Sequence, residues 1–421
     1  VVANKSGHLR AITALASSSV VGQLVVVLSL PLIARLFGPE AIGVQSSIQS
    51  VATILAALAG LRFEQLIPSV RSHVTSIRLA LASVALPVLL TALLVPTLVL
   101  SAANSWEFGY ALVASGAYVV VLHLSVVARV LALRAGRTRA LALTSVVQGG
   151  GRSILPVVLG TLASTWSSLA VGDLLGRVLG IRSLVTIPLF RLARVVSRNA
   201  WTSLARALRD RSGFAVVASI SALINAAAIH AVIPSITALY GADAGGTFAI
   251  AMKTILLPTV IIGVATGDIM QRSLGRMPRA EHLGYLLRQT ALLAIVAGFG
   301  IAIAVAKSDA IAQIAFGSRY PGAGNYLAVL SIWGGAAFIG SPLSRYFFVV
   351  ERVGLKLTYD VVALCAQIVA IVVVFRLGGS GVQAATAVAV AAVFAYAILV
   401  GVVLALAGRL ARPSADSSRL E

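Results

Sequence analysis

Apolar residues in this chain gather in long blocks, and polar ones are confined to short connections between them. A helix that crosses a bilayer needs about 20 mostly apolar residues. Twelve stretches meet or nearly meet that length, at 12–34, 44–61, 79–100, 108–127, 140–162, 168–190, 214–239, 245–270, 286–306, 324–350, 357–375 and 381–406. The pattern predicts an all-α membrane protein with about 12 transmembrane helices. Of the 421 residues, 59% are hydrophobic and only 11% charged, far from the roughly 25% charged of soluble domains.

One stretch occurs twice. Pro31 to Gly43, PLIARLFGPEAIG, returns 203 residues later as Pro234 to Gly246, PSITALYGADAGG. Pro31, Ile33, Leu36, Phe37, Gly38, Glu40, Ala41 and Gly43 match Pro234, Ile236, Leu239, Tyr240, Gly241, Asp243, Ala244 and Gly246. A proline inside a helix, an aromatic-glycine stop and a short acidic turn describe a kinked helix ending at a membrane surface, then a hairpin into the next span. The copies end the first and seventh spans. Six spans separate them, so the halves share one orientation and form two parallel six-helix lobes. The expected organisation is an N-lobe at 1–190, a cytoplasmic linker at 191–212, a C-lobe at 213–412 and a tail at 413–421. Pro31 and Pro234 are the expected hinges.

Charge fixes the orientation. Lys and Arg number 33 against 13 Asp and Glu, a formal charge of +20. With a cytoplasmic N-terminus, the outside segments hold only Arg35, Lys307, Arg319 and Arg376, and most other basic residues fall on the inside. Such a bias places both termini in the cytoplasm. It assigns most of the positive charge to topology and lipid headgroups, with no nucleic-acid partner. The linker sequence RLARVVSRNAWTSLARALRDR alternates basic and apolar residues at helical spacing, as an interfacial amphipathic helix or an ordinary basic loop would. The lone cysteine, Cys365, excludes an intramolecular disulfide.

Four cations fall inside predicted spans: Arg152, Arg177, Arg182 and Lys253. Ionisable groups at membrane depth cost at least about 2.5 kcal/mol each, so they face a cavity or a partner. Arg152 follows Gly149-Gly150-Gly151 with Pro156 one turn on, a pattern that favours local unwinding or close backbone approach. Cavity lining and a structural contact between helices remain its two readings. Asp173 and Arg177 stand four residues apart on one helix face, for mutual neutralisation or for gating. Lys253 either lines the cavity or snorkels outward, and Arg182 reads as snorkelling. Asp268 and Asp360 read as structural, with a proton or ion site as the lesser option, and the lone histidines His123 and His230 read as satisfied core groups ahead of ligands or proton relays. The span interiors are net cationic, which suits an anionic passenger bearing phosphate.

The stretch LPLIARLFGPEAIGVQSSIQSVATILAALAGLRFEQLI, from Leu30 to Ile67, resembles the N-terminal signature of the polysaccharide transporter family, the O-antigen (Wzx-type) flippases of the multidrug/oligosaccharidyl-lipid/polysaccharide exporter (MOP) superfamily. The residues that carry the resemblance are Arg35, Gly38-Pro39-Glu40 and Arg62-Phe63-Glu64. Weaker matches are GDLLGRVLG at Gly172 to Gly180 and ERVGLKLTYD at Glu351 to Asp360. Glu64-Gln65 departs from the pattern, which has a small apolar residue after the acid. The resemblance implies a MATE/MOP-like pair of lobes around a central cavity, in the bacterial cytoplasmic (inner) membrane. It implies that polyprenyl-diphosphate-linked oligosaccharide crosses from inner to outer leaflet by alternating access. Twelve spans fit this family better than the lipid II flippases, which have about two more.

Arg35, Arg62, Arg152, Arg177 and Lys253 are then the expected substrate-binding cations, with Asp173 and Glu64 in gating or charge pairing. No cofactor or metal is expected. The glycolipid and membrane lipids are the expected partners of a functional monomer, with polysaccharide polymerase and chain-length proteins as candidates. A multidrug or cation antiporter of the same superfamily is the alternative, although the first span lacks an acid. A membrane polysaccharide polymerase or ligase is the lesser one, and no large outer loop carries catalytic groups for it. Phosphate-cradling loops, zinc-ligand spacings and nucleophile elbows are absent, so the chain reads as a transporter and not an enzyme.

Overall fold

A computed structural model of the chain describes residues 20–67, 70, 73–101, 106–184, 209 and 212–411. The linker expected at 191–212, apart from residues 209 and 212, and the tail at 413–421 lie outside the described residues. Regular structure among them is wholly helical. Among the described residues six helices are long and apolar enough to cross a membrane, or seven if one bent pair is counted as a single span. The chain is a multi-pass α-helical membrane protein, and it packs as two compact units, Val1–Gly246 and Thr247–Glu421.

In the first unit, α1 covers Val20–Leu36, α2 Pro39–Ala59, α3 His73–Ser101, α4 Trp106–Arg134, α5 Thr138–Leu162 and α6 Trp166–Val178. Then come α7 at Ser212–His230 and α8 at Val232–Tyr240. The organising helix is α2, which packs against α4, α6, α7 and α8. A short 3-10 turn, Phe63–Leu66, follows it and packs on α3 and α4 through Phe63, Ile67, Leu79 and Val127. The seventh predicted span, grouped by sequence with the second half, therefore packs on the first.

The second unit holds the remainder of α9, Ala242–Ile255, then α10 at Val264–Leu274 and α11 at His282–Ala306. It continues with α12 at Ser308–Phe316, α13 at Ala323–Leu343, α14 at Val353–Arg376 and α15 at Gly381–Ala411. Met270, Leu286, Phe338, Leu343, Leu399 and Val403 form its core. Between α9 and α10 the helix widens into a π turn at Thr259–Gly263. Pro258 accounts for it, because its ring has no N–H to donate and crowds the carbonyl of Thr254. The segment after Lys307, between two predicted spans, contains α12, anchored by the buried Phe316 and Tyr320.

Both repeat copies behave as their prolines dictate. Regular helix gives way to a turn at Ser29, which keeps helical φ and ψ, two residues before Pro31. Ala231 separates α7 from α8 three residues before Pro234, and the two helices meet at 49°. Each copy then stops. The Phe37 N–H donates to the Ile33 carbonyl at 2.8 Å, and Gly241, at φ +89°, donates to that of Thr237 at 3.1 Å. Glu40 and Asp243 begin the following helices, where the positive end of the helix dipole favours an acid.

The copies also touch each other. A Cβ on Gly43 would lie 2.0 Å from the Ala242 carbonyl oxygen, and one on Gly246 would lie 1.8 Å from that of Pro39. Pro39 and Ala242 hold the same position in the repeat, so the contact is reciprocal, each glycine meeting the other copy's first helical carbonyl. Substituting Gly43 by Ala is expected to cost about 1–3 kcal/mol, because the obstructing atom is backbone. The control is Gly150→Ala, whose Cβ meets nothing within 4 Å and which should be neutral or mildly stabilising. Thermal unfolding of the purified variants in detergent measures both, and equal effects would contradict a close-packed contact.

Candidate functional site

Two helices approach at van der Waals distance to make the site. Gly172 and Gly176 stand one turn apart on α6, and a Cβ on either would strike α5 backbone: the Pro156 nitrogen at 2.5 Å and the Arg152 nitrogen at 2.4 Å. This is the small-xxx-small pattern by which helices in lipid come close. On the facing side, Gly151 meets the Gly176 Cα, and Gly149 meets Gly22 of α1. Through this glycine run α5 stays helical, so of the two expectations for Gly149-Gly150-Gly151 the structure has close approach and no unwinding.

Such proximity lets a short side chain bridge the helices. Asp173, 7% exposed, accepts from Arg152 Nε at 2.9 Å through Oδ1 and from Arg177 Nε at 2.7 Å through Oδ2. One carboxylate thus holds two guanidiniums, each by its Nε. The Arg177 guanidinium also lies 5.8 Å from the centre of the Tyr118 ring, a cation–π arrangement. Tyr118 is fully buried, accepts from Gln45 Nε2 at 3.0 Å and donates to the Ala170 carbonyl at 3.3 Å. A third arginine joins through Gln148. Arg129 Nη2 donates to Gln148 Oε1 at 2.8 Å, and Gln148 Nε2 donates to the Arg177 carbonyl at 2.6 Å.

Three arginines therefore surround one aspartate, an arrangement with two positive charges in excess. Arginine does not shed its proton to relieve this. With Nε committed to Asp173, the Nη groups of Arg152 and Arg177 are the donors left to meet a ligand, and forked Nη groups suit phosphate. Arg129 stood outside the sequence-predicted set. Placed at an inner loop by a span ending at residue 127, it lies within α4, whose apolar stretch runs to Arg134.

The remaining expected site residues lie elsewhere. Arg35 is exposed in the last turn of α1, whereas Arg62 follows the far end of α2, about 30 Å away at 1.5 Å per residue. Lys253 is half-buried in the last turn of α9, in the second unit. Arg182 is exposed, in keeping with a snorkelling role. Asp360 pairs with Lys356 one turn away, and Asp268 lies 3.6 Å from Arg345, so both acids have structural partners. Glu64 is buried beside Arg62, at 3.6 Å, and His123, at 3.7 Å. In the turn beyond α2, burial pushes the Glu64 carboxyl above the ordinary carboxylate range, against the opposing pull of Arg62. Among the described residues no group of acids, histidines or cysteine could hold a metal ion.

No protein-family model and no curated protein sequence matches the chain. Solved structures do. A lipid II flippase, MurJ, in an inward closed conformation is 13% identical, with a TM-score of 0.70 over 92% of this chain and 87% of that one. A multidrug resistance MATE family transporter of the MOP superfamily, facing inward, is 17% identical, with a TM-score of 0.60 over 95% and 96%. A MOP superfamily transporter from Pyrococcus furiosus, whose binding pocket is described as reversed in polarity, is 16% identical, with a TM-score of 0.52 over 96% of each chain. The chain has the fold that these transporters share.

Removing Asp173 should be the most damaging single change in the cluster. Asp173→Ala leaves two partly buried guanidiniums uncompensated, and stripping one member from such a set costs about 3–5 kcal/mol. Arg129→Gln, which keeps a donor to Gln148, is expected to cost much less. Unfolding temperatures in detergent would rank the two, and the reverse order would contradict the central place of Asp173.

Proposed function

We propose that this protein is a flippase for an anionic lipid-linked substrate, carrying a polyprenyl-diphosphate-linked oligosaccharide, of the O-antigen or a related surface polysaccharide, from the inner to the outer leaflet. The observation that carries the proposal is the excess of arginine over acid around Asp173 of α6, which meets Arg152 midway along α5. Such a cluster costs free energy in a membrane unless it serves an anion. The likeness to a protein described as a lipid II flippase supports the same reading. In this proposal Arg152, Arg177 and Arg129 hold the diphosphate, Asp173 sets their orientation, and the polyprenyl tail stays in lipid. Lys253, Arg35 and Arg62 meet the substrate at other stages of its passage. The lobes move about the breaks before Pro31 and Pro234, joined by the basic linker. The protein works as a monomer in the bacterial inner membrane, with both termini cytoplasmic, and hands its product to the polymerase and chain-length proteins.

The second reading, a multidrug or cation antiporter, is favoured by the likeness to MATE transporters. It requires an acid within the charged centre free to meet a cation, and Asp173, the acid there, is already held by two arginines, while Glu64, the unit's other buried acid among the described residues, lies beside Arg62. Reconstitution in proteoliposomes with a polyprenyl-diphosphate oligosaccharide, and a lipophilic cation as competitor, separates the two. Wild-type protein is expected to move the glycolipid and Arg152→Ala to lose at least tenfold in rate while still inserting. Cation export with no glycolipid movement would replace the proposal by the antiporter reading.

A further inference from the structure

Apart from the arginine cluster, one buried pair is left with an unresolved hydrogen bond. Glu64 and His123 are 3% and 4% exposed. Glu64 Oε1 lies 3.6 Å from Arg62 Nη1, while Oε2 faces His123 Nε2 at 3.7 Å. Neither Oε2 nor Nε2 has a hydrogen-bond partner. The imidazole is hydrogen-bonded to the Ala56 backbone, and with Nε2 unpartnered we assign that bond to an Nδ1–H donating to the Ala56 carbonyl. A neutral ring with its proton on Nδ1 turns a bare lone pair toward the carboxylate. Two buried acceptors then face each other with nothing between them.

One proton resolves the conflict from either side. Placed on Oε2 it makes a carboxylic acid, and placed on Nε2 an imidazolium, and either can donate to the other atom once the 3.7 Å gap closes to hydrogen-bond distance. We propose that Glu64 and His123 form a proton-binding site, in which a single exchangeable proton taken from water is held between Oε2 and Nε2.

The backbone is built around this pair. A Cβ at Gly60 would lie 2.0 Å from His123 Cε1, so only glycine admits the ring there. Leu61 and Arg62 both take left-handed conformations, at φ +45° and +55°, which cost free energy for residues other than glycine. They turn the chain so that Glu64 points back under the end of α2. The charged groups on the surrounding elements are few. Arg62 lies on the same turn and acts on both members. Arg134 of α4 is spent on the Ile67 and Val70 carbonyls, Arg129 of α4 on Gln148, and Arg78 of α3 has interactions of its own. The fixed charge of Arg62 opposes a second proton, so the site takes one. Its side chain is 30% exposed, which sets the pair one residue from solvent.

This site does not depend on the transport reading, but if that reading holds, its proton is a candidate for the ion coupled to transport. Infrared titration of the full chain in nanodiscs, in H2O and D2O, tests the proposal without any substrate. The wild type is expected to show a D2O-sensitive carboxylic acid band or an imidazolium band at neutral pH. A carboxylic acid band should be absent in Glu64→Gln and displaced in His123→Asn, and an imidazolium band should be absent in His123→Asn and displaced in Glu64→Gln. An ionised carboxylate beside a neutral histidine from acid to neutral pH would overturn it, as would a wild-type band unchanged in Glu64→Gln. Should either variant fail to fold, 15N-histidine labelling of the wild type keeps the test open. His123 must hold its proton on Nδ1 throughout and gain a second bond to hydrogen at Nε2, or accept one there from Glu64. A neutral ring protonated at Nε2 with a bare Nδ1 would end the proposal.

Discussion

The closeness of α5 and α6 is the constraint on which the charged centre depends. Aspartate is too short to bridge two helices packed at ordinary side-chain distance. Here Gly172 and Gly176 bring the backbones together at Pro156 and Arg152, and Asp173, between the two glycines, reaches Arg152 across the interface while Arg177 reaches Asp173 from the next turn of its own helix. Lipid tails are as apolar as leucine, so hydrophobic burial adds little to such a helix pair, and close packing with interhelical hydrogen bonds has to hold it. The glycines and the charges therefore support each other. Without the close approach the aspartate could not reach, and without the aspartate the two arginines would repel.

A second close approach ties the repeat together. Prolines interrupt α1 and the α7–α8 pair at nearly the same point of each copy, and the helix after each aromatic-glycine stop carries an acid in its first turn. The reciprocal seating of Gly43 and Gly246 on the carbonyls of Ala242 and Pro39 explains why both copies keep a glycine there. A side chain at either position would meet backbone, which cannot yield as a flexible side chain can. The copies are not identical in detail. Ser47 donates to Thr237 across the contact at 2.7 Å, and the equivalent positions are Ile250 and Ala34, which cannot form the counterpart. The contact is symmetric in backbone and asymmetric in side-chain hydrogen bonding.

What could be read from the sequence was what depends on local order. Apolar blocks marked most helices, and the repeat located both proline breaks. The spacing of Asp173 and Arg177 announced an ion pair, because four residues is one helical turn. The link to Arg152 was not legible in the same way, since the partners are 21 residues apart and only the glycine packing of α5 on α6 brings them together. The glycines at 172 and 176 were visible as a Gly-rich stretch, and their spacing of four was the available signal. Arg129 was assigned to a loop because the apolar run was ended at residue 127, whereas helix hydrogen bonding carries α4 to Arg134. Gln45, Gln148 and Tyr118 carry no charge and so gave no sign of their place in the network. His123 read as a lone core histidine, and its partner Glu64 lies 59 residues away, turned inward by a left-handed bend that the ordinary sequence Leu61-Arg62 does not advertise.

The first unit thus buries two polar centres with opposite needs. Around Asp173 every cation is a guanidinium, whose charge persists across physiological pH, so the excess can be balanced only by a negative group from outside. A proton would make matters worse, since it could settle only on the one carboxylate and would add to the positive excess. At Glu64 and His123 the deficit is one hydrogen between two acceptors, and an anion would worsen that conflict where a proton removes it. On the two proposals each centre selects its own ligand, because the ligand of the other would raise its energy. Both are attached to α2, the first through Gln45 and Tyr118 and the second through Ala56 and Gly60. A displacement of that helix would therefore reach the anion-seeking and the proton-seeking groups together.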